Sequence, residues 1–188
     1  MIDYNENINN PFADISEDMY FFDAVLWAYE QGITGGTGAD TFSPDASCTR
    51  AQMATFLWRA AGSPEPADSY SPFTDVLADA YYAKAVQWAV EQGITAGTSA
   101  TTFSPDMACT RAQMAAFLYR MEQVKGGGFT GAWMFYVPFT DVPEWAFESI
   151  AWCYMKGITS GTTETTFSPD ENCTRGQMVT FLYRYFAK

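Results

Sequence analysis

Residues 81–92 carry Ala85, Val86, Ala89 and Val90 at the spacing of a helix with one apolar face, and Gly93 follows where a C-cap would fall. From Arg111 onward, Met114, Phe117, Leu118 and Met121 repeat that spacing and predict a second helix. Between the two, Gly97, Pro105 and several threonines and serines predict a long loop rich in turns. The second helix's face recurs as Met53, Phe56 and Leu57, and again as Met178, Phe181 and Leu182. One helical hairpin cannot bury two apolar stripes alone, so the copies are expected to pack on one another.

Five landmarks recur in order, which makes the chain a tandem repeat. Phe12-Ala13-Asp14-Ile15, Phe73-Thr74-Asp75-Val76 and Phe139-Thr140-Asp141-Val142 open the three copies. Trp27, Trp88 and Trp152 follow, then Gly32-Ile33-Thr34, Gly93-Ile94-Thr95 and Gly157-Ile158-Thr159. Gly36, Gly97 and Gly161 mark the next turn, and Phe-Ser-Pro-Asp recurs at 42–45, 103–106 and 167–170. The tryptophans fall on a helix that must pack inward and are expected in the core. Asp14, Asp75 and Asp141 are expected to cap a turn or a helix entrance.

Each copy closes on Thr49-Arg50-Ala51-Gln52, Thr110-Arg111-Ala112-Gln113 or Thr174-Arg175-Gly176-Gln177. Threonine followed three residues later by glutamine is a capping box. It sets an arginine at the first helical position, beside N–H groups without intrahelical partners, so three helix starts would make three anion-receptive corners. A cation at that end is electrostatically disfavoured, which suggests a task beyond helix stability; the alternative is an ion pair with the copy's own aspartates. Arg59, Arg120 and Arg184, near the helix ends, suit the dipole there.

The copies are expected to occupy 1–62, 73–123 and 139–188. Linker 63–72 holds Pro64, Pro66 and Pro72 and reads as stiff; linker 124–138 runs from three glycines into an apolar segment, 129–137, expected to pack onto the body or, alternatively, to dock a partner. The formal charge of −12, from 22 acidic and 10 basic residues, argues against nucleic acid and anionic membranes as partners. No stretch approaches the ~18 apolar residues of a membrane span. Histidine is absent, which removes the commonest general base and metal ligand. Cys48, Cys109 and Cys173 occupy equivalent places and read as small buried hydrophobes, a threefold thiolate metal site being the alternative. A Cys153–Cys173 bridge is geometrically conceivable. Residues 1–10 lack signal-peptide features, so the chain is either cytosolic or an excised piece of a longer exported one.

This ordered set resembles the S-layer homology family, whose units open on Phe-x-Asp-Val and end on Ile-Thr-Arg-Ala-Glu, over nearly the whole chain. The resemblance implies an all-α fold, three helix-loop-helix repeats forming a monomeric pseudo-threefold spindle with a central helical bundle. It implies a noncatalytic anchor without cofactor or metal, at the cell surface if an export signal lies outside this chain. Its ligand would be anionic, often pyruvylated, secondary cell-wall polysaccharide. Carried over, Arg50, Arg111 and Arg175 would meet the carboxylate, Gly36, Gly97 and Gly161 would let backbone approach the sugar, and Tyr20, Tyr81 and Trp145 would stack on it.

The departures are informative. The family's glutamate is Gln52, Gln113 and Gln177, which still closes the capping box but cannot pair with arginine. Gly176 replaces alanine and is expected to weaken its helix by up to about 1 kcal/mol, setting the third copy apart. A protein-interaction module is the alternative function. A hydrolase would need two carboxylates facing one cleft, for which Glu91 and Asp106 are the candidates, but threefold repetition of the acidic landmarks argues against one asymmetric site.

Overall fold

Residues 10–68, 71–129 and 136–187 are described by the structure, a computed structural model. The helices are α1 (Phe22–Glu30), α2 (Arg50–Ala60), α3 (Ala83–Glu91), α4 (Arg111–Val124), α5 (Phe147–Met155) and α6 (Arg175–Phe186), with a 3₁₀ turn, Glu144–Ala146, before α5. Among the described residues there is no strand, only isolated bridges pairing Ser47 with Thr174, Thr49 with Ala108, and Thr110 with Asn172. The fold is all-α, as the patterns predict. Helices α2, α4 and α6 begin on the motif arginines, because Thr49, Thr110 and Thr174 accept from the N3 amides and the N3 glutamines accept from the threonine amides. Helix α3 starts at Ala83, two residues inside the predicted span, and ends as expected before Gly93, which adopts φ +69°.

The pairing of helices differs from a set of hairpins. Helix α3 packs on α2, α5 on α4, and α1 on α6. Each copy's first helix therefore covers the second helix of the preceding copy, and the first copy closes on the last. Apolar periodicity identifies the face of a helix that must be buried but not the face it meets. The second helices contribute Met53, Leu57, Met114, Leu118, Met178 and Leu182, all fully buried, to a core that joins the three copies.

Three cysteine amides close the ring around its axis: Cys48 N donates to the Cys173 carbonyl at 2.9 Å, Cys109 N to Cys48 at 2.8 Å, and Cys173 N to Cys109 at 2.8 Å. The side chains are fully buried and all four cysteines are free, so the conceivable Cys153–Cys173 bridge is not formed. The thiols of Cys48 and Cys109 face the Thr49 and Thr110 carbonyls. Among the described residues no group of three such side chains is placed to hold a metal, which disfavours the thiolate site.

Each Phe-x-Asp aspartate holds the far loop of its own copy. Asp14 accepts from the amides of Phe42 and Ser43, Asp75 from Phe103 and Ser104, and Asp141 from Phe167 and Ser168, all at 2.7–2.8 Å. Ser43, Ser104 and Ser168 sit in the left-handed region at φ 56–58°, a conformation costly for a residue with a Cβ. The paired amide bonds and hydroxyl contacts to Thr37, Thr98 and Thr162 at 2.7 Å hold them there. The proline linker is strapped down: Trp58 Nε1 donates to the Pro64 carbonyl at 2.7 Å, and Glu91 accepts from the amides of Ala67 and Asp68.

Gly176 is explained by a neighbour. A Cβ there would lie 2.9 Å from the Phe21 ring, so the glycine lets the first copy seat against α6. Gly176→Ala is expected to destabilise the protein despite alanine's helix propensity, overpacking costing about 1–3 kcal/mol. Chemical denaturation checks this, and Phe21→Leu in the same chain is expected to restore part of the loss. Burial pushes the Cys48 and Cys109 thiols from 9.0 up to about 12. Their contribution to stability is therefore complete below about pH 9 and declines from there toward about pH 12, as thiols ionise in the unfolded chain first. Urea midpoints measured from pH 7 to 11 are expected to be level and then fall.

Candidate functional site: the inter-repeat grooves

Each motif arginine leaves its own copy and locks into the next. Arg50 Nε donates to the Phe103 carbonyl, Arg111 Nε to Phe167, and Arg175 Nε to Phe42, each at 2.8 Å. The same phenylalanine's ring lies under the guanidinium, 4.7 Å from Cζ in all three, and a second ring (Phe117, Phe181 or Phe56) stands 5.6–5.7 Å away. The side chains are only 3–4% exposed. Burial draws their pKa below the ordinary value, but a guanidinium stays charged at any pH a protein tolerates. Among the described residues the arginines make no ion pair with the copy's own aspartates. Among the described residues the salt bridge is Lys84–Glu65, at 2.8 Å on the surface.

One nitrogen of each guanidinium is left over. Nη2 of Arg50, Arg111 and Arg175 is buried and has no hydrogen-bond partner among the described residues. A buried N–H on a cation without an acceptor is costly, and the aromatic faces recover only part of that cost. Arg50 opens on a depression of about 310 Å³ shared with Thr95, Gly97, Gln113, Arg120 and Trp145. Arg111 opens on one of about 410 Å³ shared with Thr159, Gly161, Gln177, Arg184 and Tyr20. Among the described residues each lining draws on all three copies and contains no carboxylate. The third arginine, Arg175, stands against Phe56 with Tyr81 in electrostatic range, and Tyr81 in turn senses Arg59.

The helix starts themselves are not anion-receptive. Amides of Arg50 and Ala51 donate to the carbonyls of Met107 and Pro105, those of Arg111 and Ala112 to Glu171 and Pro169, and those of Arg175 and Gly176 to Ala46 and Pro44. The N3 amides are taken by the capping threonines. This corrects the expectation drawn from the helix ends: the neighbouring copy consumes the donors, and any anion must be met by side chains.

The predicted aromatics are presented outward, Tyr20 at 67% exposed, Tyr81 at 63% and Trp145 at 61%. Gly36, Gly97 and Gly161 have a local reason to be glycine: φ is +82° to +86°, and a Cβ would meet the backbone carbonyl of Thr41, Thr102 or Thr166 at 2.5–2.6 Å. Gly97 and Gly161 also line their depressions.

Two sets of lining residues escaped the sequence reading. Arg59, Arg120 and Arg184 do more than suit a helix end: Nη1 donates to the carbonyls of Ile33, Ile94 and Ile158 at 3.0–3.2 Å, and Arg120 lies a full turn before the end of α4. The signal was present in composition. All six arginines of the chain fall on the two repeated positions, and lysine supplies the other four cations. The glutamines likewise serve twice, since Gln113 and Gln177 spend Oε1 on the capping box and line a depression as well.

Glu91 does not suit acid catalysis. Hydrogen bonds from Gln87, Asp68 and Ala67 hold its pKa below the ordinary value, the opposite of what a general acid needs. Most of the apolar segment 129–137 lies outside the described residues; Phe129 packs near Tyr119, with ring centroids 6.0 Å apart.

A closed ring of three copies with arginine-lined grooves between them defines a tandem-repeat helical module. Segments 11–54, 72–115 and 138–179 match the S-layer homology domain, and the chain belongs to that family. Among curated relatives, it is 33% identical over 177 residues to an endoglucanase of Bacillus sp. (strain KSM-635), covering 92% of this chain and 18% of that protein. It is 30% identical over 169 residues to the Surface-layer 125 kDa protein of Lysinibacillus sphaericus, covering 88% of this chain and 14% of that one. A Cellulosome-anchoring protein of Acetivibrio thermocellus is 30% identical over 153 residues, 78% of this chain and 33% of the relative. The chain thus spans a third or less of each of these relatives.

The lock predicts its own energetics. Arg111→Ala leaves the Phe167 carbonyl without its donor and empties the space between two rings, and is expected to cost about 3 kcal/mol. Denaturant titration checks this; Arg50→Ala and Arg175→Ala are expected to cost the same within about 1 kcal/mol, since the three locks share one geometry.

Proposed function

We propose that this chain is a noncatalytic cell-wall anchoring module that binds anionic, pyruvylated secondary cell-wall polysaccharide in the grooves between its copies. The observation that carries the reading is the unspent Nη2 of each buried motif arginine. A ketal carboxylate reaching it would satisfy the orphan donor and add a charge-assisted bond to a cation that has no carboxylate of its own. The second arginine and the glutamine amide offer further donors to sugar oxygens. Tyr20, Tyr81 and Trp145 offer exposed faces to the apolar side of a sugar ring.

The surface-layer and cellulosome-anchoring relatives support attachment at the cell surface, and the endoglucanase relative fits a module joined to a separate catalytic region. With grooves at both Arg50 and Arg111 on one body, a polymer could engage more than one at a time, and avidity would exceed the affinity of any single groove.

The test uses purified pyruvylated wall polysaccharide and the same polymer with its ketals hydrolysed. Binding is expected to the first and not to the second, weakening as salt is raised; equal affinity for both would overturn the carboxylate reading. The variant Tyr20→Ala, Tyr81→Ala, Trp145→Ala alters side chains that are mostly exposed, so its melting midpoint is expected to hold. Its affinity is expected to fall by about tenfold or more.

A further inference from the structure

Ile158 and Arg184 line two depressions at once, the Arg111 groove and a neighbour of about 270 Å³ at the junction of α4, α5 and α6. The neighbour is completed by Glu122, Trp152, Lys156 and Tyr185. Three of these do not repeat. Beside the Arg50 groove the corresponding positions hold Ala61, Gln92 and Met121, and at the junction of α6 and α1 they hold Phe186, Gln31 and Ala60. The scaffold is threefold here, and the chemistry is not.

The side chains of this hollow are held in place. Tyr185 Oη donates to Glu122 at 2.8 Å and accepts from Lys125 Nζ at 3.2 Å, while that amine also stands 4.9 Å over the Tyr185 ring. The Trp152 ring packs between Tyr119 and Tyr185, with centroids 5.6 and 5.7 Å away. Trp152 is 1% exposed, and its Nε1 is buried without a hydrogen-bond partner among the described residues. Lys156, an exposed residue, adds an amine to the lining.

We infer that this hollow is a second sugar subsite, continuous with the Arg111 groove across Arg184, that takes the neutral, hydroxyl-rich residue next to the acidic sugar. The inference rests on the reading that the Arg111 groove binds an acidic sugar. A carboxylate acceptor together with ammonium and guanidinium donors in the lining of one tyrosine-walled hollow matches hydroxyls, which both donate and accept. A second anion is disfavoured by Glu122. The Arg111 groove would then read two consecutive sugars where the Arg50 groove reads one.

The experiment compares a fragment of the wall polysaccharide holding the acidic sugar alone with one carrying its neutral neighbour as well, by calorimetric titration. Wild type is expected to bind the two-sugar fragment about fivefold or more tightly than the single sugar. Glu122→Ala with Lys156→Gln, which installs the side chains found beside the Arg50 groove, is expected to bring that ratio to about one while single-sugar affinity stays unchanged. The Trp152 indole N–H resonance is expected to shift with the longer fragment and not with the shorter. A wild-type ratio of one, a ratio that survives the double change, or an unmoved indole resonance overturns the subsite alone. If wild type binds neither fragment, the groove reading falls with it.

Discussion

Three guanidinium groups, each buried in the neighbouring copy without a carboxylate, are the constraint on which this molecule depends. A charge taken out of water needs compensation, and here it comes from a backbone carbonyl at 2.8 Å and two aromatic faces. That carbonyl is aimed by a loop forced through a left-handed serine, which an aspartate from the opening landmark holds by two amides. Opening landmark, loop, arginine and capping box thus form one mechanical chain, repeated three times. Loss of any part would release the next.

The same arrangement separates capture from the overall field. With 22 acidic residues against 10 basic ones, the body repels polyanions at long range. Arg50 and Arg111 are withdrawn from that surface into recesses whose described linings lack carboxylates. On the proposed reading, attraction of an anionic polymer would be short-ranged and directional, which favours selectivity over speed of encounter. Glutamine in place of the family's glutamate works in the same direction, since Gln113 and Gln177 keep the cap and put no negative charge in the lining of either groove.

Much of this was legible in the chain. The capping boxes located the starts of α2, α4 and α6 to the residue, because their signal is local and chemical. The buried tryptophans Trp88 and Trp152 and the motif cysteines followed from periodicity and equivalence. Relations between copies were illegible. Periodicity could not say that α1 covers α6, that Pro105 and Met107 take the amides of Ala51 and Arg50, or that Gly176 yields to Phe21. Serine at positive φ leaves no compositional trace, so the strained turn was invisible. The second arginine was within reach, but a sufficient local explanation at the helix end concealed a role that depends on the neighbouring copy.

Closure of the ring has a temporal consequence. Copies in an open solenoid can dock one after another as they are made, each on a finished neighbour. Here α1 waits for α6, and the Phe42 carbonyl waits for an arginine 133 residues later. During synthesis the first copy must emerge with its apolar helix face uncovered and hold it so until the last has left the ribosome, an interval in which such a surface is open to wrong partners. Once the final arginine seats, each copy is held by both of its neighbours.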